Sequence, residues 1–127
     1  MSDLELAIER SRSGDATTGD LLAAFLAATV FAPTSVDPSL GAGSFTPLTV
    51  TVGNSTALPV FTSLDLLANF GTSAPFAASL EGYFLVRSVR PNTGILVNPG
   101  AEAGFEIAPH VVARLADHVA SVRAKRQ

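Results

Sequence analysis

The 127-residue chain contains no cysteine and no tryptophan, and it has a single tyrosine. Without cysteine, disulfide bonds and thiolate metal sites are excluded. No apolar run approaches the ~20 residues of a transmembrane helix, so no membrane partner is expected. The first residues are acidic where a secretory signal would be basic. We therefore expect a protein that is not exported and that resides in the cytoplasm.

Charge is also scarce, because Asp, Glu, Lys and Arg make up only 15% of the chain, whereas about 25% is usual for globular proteins. The net charge of −3 repels polyanions, so nucleic acid is not an expected partner. Two interpretations of the low charge remain open. Either small polar and alanine side chains cover the surface, or the surface carries an apolar patch, which typically marks a protein partner or self-association.

The spacing of apolar residues predicts several helices. Ser2 and Glu5 have the spacing of a capping box at the start of the first one. In the fourth, Phe84, Leu85 and Val89 are predicted to face inward. The basic tail, residues 123–127, is predicted to be a frayed, solvated end. The predicted helices span residues 3–12, about 19–26, about 64–70 with Thr62 or Ser63 as the cap, 82–89, and a last helix beginning at Pro109.

Between these helices, short apolar segments rich in branched residues predict strands. They span residues 29–32, 45–52, 57–61, 76–78 and 95–97, and the second and third form a hairpin around Gly53-Asn54-Ser55. Residues 33–44 are predicted to be a surface loop because they are rich in Pro, Gly, Ser and Asp. The predicted fold is a single α+β domain with a mixed β-sheet of about five short strands and flanking helices.

Two of these strands end in distinctive blocks, Pro59-Val60-Phe61-Thr62-Ser63 and Val97-Asn98-Pro99-Gly100. Together with residues 29–33 and 48–50, they resemble the SseB protein N-terminal domain family over about residues 17–122. The resemblance implies the fold, and it provides no catalytic residues to carry over. Residues 1–16 then form an N-terminal helix and turn, and residues 123–127 form the tail.

The residue patterns that usually indicate catalysis or metal binding are weak. His110 and His118 are eight positions apart on one predicted helix, which separates them by roughly 12 Å, too far to share a metal ion. Residues 41–44 (Gly-Ala-Gly-Ser) precede a strand, whereas a phosphate-binding loop follows one. Thr62 and Ser63 have no base that the sequence places beside them. We therefore expect no enzyme activity, no cofactor and no metal.

The candidate ligand site lies where the two blocks end. If the two strands are parallel neighbours, Phe61, Thr62 and Ser63 emerge beside Asn98, Pro99 and Gly100, at an edge where α/β sheets often bind ligands. The sequence thus leaves two hypotheses. The first is a non-enzymatic protein-interaction module that binds itself or another protein. The alternative is a small-molecule-binding regulatory domain that uses this edge.

Overall fold

The computed structural model describes residues 3–15, 17–34, 49–52, 54–70, 76–90, 92–100 and 104–126. In this part of the chain, helices and strands alternate along the sequence. The helices are α1 (Asp3–Arg12), α2 (Thr18–Ala27), α3 (Leu64–Phe70), α4 (Gly82–Ser88) and α5 (Pro109–Arg126). The strands are β1 (Thr29–Thr34), β2 (Val50–Val52), β3 (Ser55–Val60), β4 (Phe76–Glu81), β5 (Thr93–Val97) and β6 (Phe105–Ile107).

The strands form a four-stranded mixed sheet, in the order β2-β3-β5-β6, and an antiparallel pair, β1-β4. In the larger sheet β3 and β5 are parallel, and the two outer pairs are antiparallel. The two sheets are joined because Phe31 and Phe61 donate backbone hydrogen bonds to each other, 2.8 and 2.9 Å long. The predicted α+β fold is confirmed, and so is the hairpin, in which Val52 pairs with Ser55.

The central position of β3 accommodates a proline because of the direction of its backbone groups. The amide of Asn98 donates to the carbonyl oxygen of Val60, 2.8 Å away, so the backbone groups of Val60 face β5. Pro59 therefore faces the other side of β3, where β2 pairs only with residues 55–57. The missing N–H of Pro59 removes no hydrogen bond between β3 and β5.

Among the described residues, a hydrophobic core holds α1, α2, α4 and α5 against the strands. α1, which the sequence analysis set apart from residues 17–122, contributes Leu4 and Ile8, each only 1% exposed. Phe25 of α2 is fully buried and meets the ring of Phe105 edge-on, with centroids 6.3 Å apart. Val112 and Val119 of α5 are buried in the same core.

The start of α2 shows how local hydrogen bonding sets a helix boundary. The Thr17 amide donates to Asp20 Oδ2 (3.0 Å), and the Asp20 amide donates to Thr17 Oγ1 (3.1 Å), which is a complete capping box. The bond from the Thr17 backbone and then that of its side chain lower the pKa of Asp20; desolvation opposes them, and the charge of Arg10 adds a further lowering. This contribution to stability is therefore complete above the ordinary pKa of 3.8 and is lost as the pH falls below it.

Several local predictions need correction. Phe84 does not face inward: it is 46% exposed, because α4 turns the adjacent Leu85 and Val86 into the core instead. The tail is not a separate frayed end, since α5 continues to Arg126. β4 extends to Glu81, and β6 lies where no strand was predicted. β1 includes residues 33–34 of the predicted surface loop.

Three of the predicted features lie outside the described residues. They are the capping role of Ser2, residues 35–44 of the predicted loop, and the first part of the predicted strand at residues 45–52, including Pro47.

Two glycine substitutions should have opposite effects on stability. A Cβ at Gly82 would collide with the carbonyl oxygen of Phe25, which is backbone and cannot move aside. Gly82→Ala should therefore lower the free energy of unfolding by about 3 kcal/mol. At Gly19, in α2, a Cβ meets only Thr17 Oγ1 at 3.7 Å, so Gly19→Ala should raise that free energy by about 0.5 kcal/mol. Urea denaturation measures both, and equal effects of the two variants would contradict this packing.

Candidate functional site

The two sequence blocks meet at the carboxyl ends of β3 and β5. These strands are parallel, with Val60 opposite Val97, so the chain leaves both at the same edge of the sheet. Residues 61–63 lead into α3, and residues 98–100 form a turn. The expected neighbourhood of the two blocks is therefore present.

Asn98 links the two blocks. Its side chain is fully buried, and its φ of 51° lies in the left-handed region, which asparagine tolerates better than most residues. Oδ1 accepts a hydrogen bond from the Thr62 amide (2.9 Å), and Nδ2 donates to Thr62 Oγ1 (3.0 Å). The side-chain amide of Asn98 thus holds Thr62, which lies between β3 and α3, against the end of β5.

The other candidate residues at this edge also take part in local structure. Ser63 Oγ accepts a hydrogen bond from the Leu66 amide (3.2 Å) and caps α3, as predicted. Phe61 is 1% exposed. Pro99 is partly buried, and Gly100 is exposed with a φ of 82°. The hydroxyls and the amide that were predicted to face a ligand therefore bond within the protein.

The described residues show no convergence of metal-ligating groups. No cluster of three or more His, Asp or Glu side chains occurs among them. His110 and His118 are both exposed on α5. The glycine-containing segment at residues 41–44 lies outside the described residues.

A second surface, which the sequence analysis missed, lies between β4 and α4. An open groove of about 370 Å³ runs along the end of β4. Leu80 and Tyr83 are partly exposed there, and Phe84 is 46% exposed. The groove is lined by Thr29, Ser79, Leu80, Glu81, Tyr83 and Phe84.

The outer edge of β4 adjoins this groove and presents backbone groups. The N–H and C=O groups of Phe31 form backbone hydrogen bonds with Phe61. Phe31 therefore forms none with Ser79, its partner in the β1-β4 register. Because backbone groups alternate in direction along an antiparallel strand, those of Ala77, Ser79 and Glu81 face away from β1. In the described part of the chain, no strand pairs with this side of β4. We call Ala77, Ser79, Leu80, Glu81, Tyr83 and Phe84 the β4–α4 surface.

The sequence contained one indirect signal of this surface, namely the scarcity of charge, for which an exposed apolar patch was one of the two open interpretations. Phe84 was predicted to face inward together with Leu85 and Val89 of the same predicted helix. Only the orientation of α4 on the core decides which side of this helix is exposed.

Comparison with known families places the fold. The sequence matches the SseB protein N-terminal domain over residues 4–114, which is most of the chain. The chain belongs to this family. The match begins within α1, so α1 belongs to the matched region. Searches of curated proteins and of solved structures give no significant match.

Within the described ranges, no helix combines the length and the apolar composition needed to cross a bilayer.

Substitutions at Asn98 should separate its hydrogen bonds from its backbone conformation. Asn98→Ala leaves the Thr62 amide without this acceptor and puts an alanine at positive φ, so it should lower the free energy of unfolding by about 3 kcal/mol. Asn98→Gly loses the same bonds but tolerates the φ, and should be about 1 kcal/mol more stable than the alanine variant. Urea denaturation compares them. A loss for Asn98→Ala of the size typical of surface substitutions would refute the linking role.

Proposed function

We propose that this SseB domain is a non-enzymatic protein-interaction module and that its contact region is the β4–α4 surface. The observation that carries the proposal is the combination of an unpaired strand edge with an adjacent groove containing the exposed Phe84, within the described part of the chain. A cytoplasmic location and a protein partner, rather than nucleic acid, are parts of this proposal.

The length of β4 distinguishes it from the other outer strands. β2 and β6 are three residues long, whereas β4 has six. Proteins commonly protect outer strands by keeping them short or by placing charges along them. β4 carries no charged residue before Glu81, so an extended partner can approach its backbone.

The groove supplies the apolar component of a protein contact. Aromatic side chains contribute strongly to binding when a partner excludes water from them. Phe84 and Tyr83 lie beside Leu80 in the groove. Phe76, at the opposite end of β4, is a further exposed aromatic residue (38%).

A comparison of baits tests the proposal. Immobilised wild-type protein should retain a protein partner from an extract of its native host, and Phe84→Ser should reduce the retained amount at least about tenfold, as expected for the loss of a residue worth about 1.4 kcal/mol or more. Leu6→Ser is the matched control, because Leu6 is 47% exposed on α1 and does not line the groove. Equal retention by the Phe84 and Leu6 variants would contradict the proposed surface.

A small-molecule-binding regulatory domain is the second candidate function. It is supported by the parallel pairing of β3 and β5, which brings Thr62 and Asn98 to one carboxyl edge. Ligands commonly bind at such an edge in α/β sheets. The mutual hydrogen bonds of these two residues make this candidate weaker than the first, because a ligand must displace or extend them.

A thermal-shift screen of amino acids and nucleotides tests this second function. A ligand at about a hundred times its dissociation constant should stabilise the fold by about 2.7 kcal/mol. Thr62→Ala should abolish the shift, while Thr17→Ala, which removes a threonine cap far from this edge in sequence, should retain it. A screen without any shift, or a shift that survives Thr62→Ala, counts against the site.

A further inference from the structure

We propose that the partner of the β4–α4 surface is a second copy of this chain, and that the two β4 strands pair antiparallel about a twofold axis at Ser79. This inference rests on the proposed function, since it names the occupant of the same surface. The inference is carried by an outer edge of β4 that has no charged residue before Glu81 and has an exposed aromatic residue near each end.

Backbone geometry restricts how two β4 strands can pair. Only Ala77, Ser79 and Glu81 direct their N–H and C=O groups outward, so these residues must face one another. Centred on Ser79, the pairing places Ser79 opposite Ser79 of the second copy, and Ala77 opposite Glu81 of the second copy. All three outward residues of each copy then bond, forming about six backbone hydrogen bonds. Moving the centre to Ala78 or Leu80 leaves one of the three opposite a residue outside β4.

The distribution of charge fits a second copy in this register. β4 carries no charge from Phe76 to Leu80, and Glu81 lies opposite the methyl group of Ala77. The two Glu81 residues are then about 13 Å apart along the strands, which exceeds the Debye length at physiological salt. Centring the pairing on Glu81 would instead place the two carboxylates directly opposite each other, which is unfavourable. Charge repulsion therefore disfavours the register centred on Glu81.

The exposed aromatic residues also match across the twofold axis. Phe76 lies at the start of β4, and Phe84 lies just past its end. Antiparallel pairing centred on Ser79 brings Phe76 of each copy opposite Gly82 of the other, between Leu80 and Phe84 in the chain. Gly82 packs against the backbone of Phe25 and offers no pocket there, so in this pairing the ring of Phe76 extends the apolar lining of the groove along Leu80 and Phe84. The same contact forms twice, as a twofold interface requires.

Engineered cysteines test this register, because the natural chain has none. Directly opposed residues that exchange backbone bonds have Cα atoms about 5.5 Å apart, which suits a disulfide. Ser79→Cys should therefore convert to a covalent dimer under mild oxidation, with a twofold increase in mass on a non-reducing gel. Ala77→Cys is the matched control: its two copies are offset by about 13 Å, too far for a disulfide, and should remain monomeric on that gel.

A reversible measurement accompanies the disulfide test. Light scattering of the wild-type protein at high concentration should give twice the monomer mass. Ser79→Lys places two positive charges opposite each other on the axis and should restore the monomer mass. Ser121→Lys, the same change at an exposed position on α5, should leave the dimer intact.

The outcomes separate this inference from the proposed function. Equal disulfide formation by Ser79→Cys and Ala77→Cys, or a monomeric wild type, overturns the second-copy pairing. If a monomeric wild type still retains a host protein that Phe84→Ser loses, the interaction module stands and its occupant is a different protein. If the thiol of monomeric Ser79→Cys reacts with a thiol reagent much more slowly than that of Ser121→Cys, the chain covers its own edge, and the pairing is again overturned.

Discussion

The paired backbone hydrogen bonds between Phe31 and Phe61 decide how the two sheets relate. They attach β1 to the end of β3 and so carry β4 to the outside of the strand arrangement. They also show that the backbone groups of Phe31 point away from Ser79, its partner in the β1-β4 register. The alternation of an antiparallel ladder then determines the direction of every backbone group in β4. A contact inside the fold thus determines which groups are displayed at its edge.

Asn98 has a comparable role at the same carboxyl end of β3, where it joins the chain to the end of β5. Its burial would be costly for an unsatisfied amide, but Thr62 supplies both a donor and an acceptor. The same bonds direct the chain from β3 into α3, whose first turn is capped by Ser63. The two sequence blocks therefore act as one structural unit. Their polar groups mainly stabilise the junction, which favours a protein-contact function located elsewhere on the domain.

In the proposed function, the β4–α4 surface combines the two components of strand-mediated recognition. Backbone groups at the edge of β4 offer hydrogen bonds that any extended chain can form, and the groove beside Phe84 adds selectivity for apolar side chains. Membership of the SseB protein N-terminal domain family accounts for the fold over residues 4–114. The proposed self-pairing arises from features that this chain presents on its surface.

The sequence by itself determined the α+β class, the hairpin, the extent of α1 and the turn after β5. These features depend on local patterns: apolar periodicity, a glycine-containing turn, and Asn-Pro-Gly after a run of branched residues. It also predicted that the blocks around Phe61 and Asn98 would be neighbours, given parallel strands. Only the tertiary structure decided that their polar groups bond each other, that Phe84 is exposed, and that β4 forms an outer edge. Hydrogen-bond partners and exposure depend on residues distant in the chain, and local sequence patterns do not contain that information.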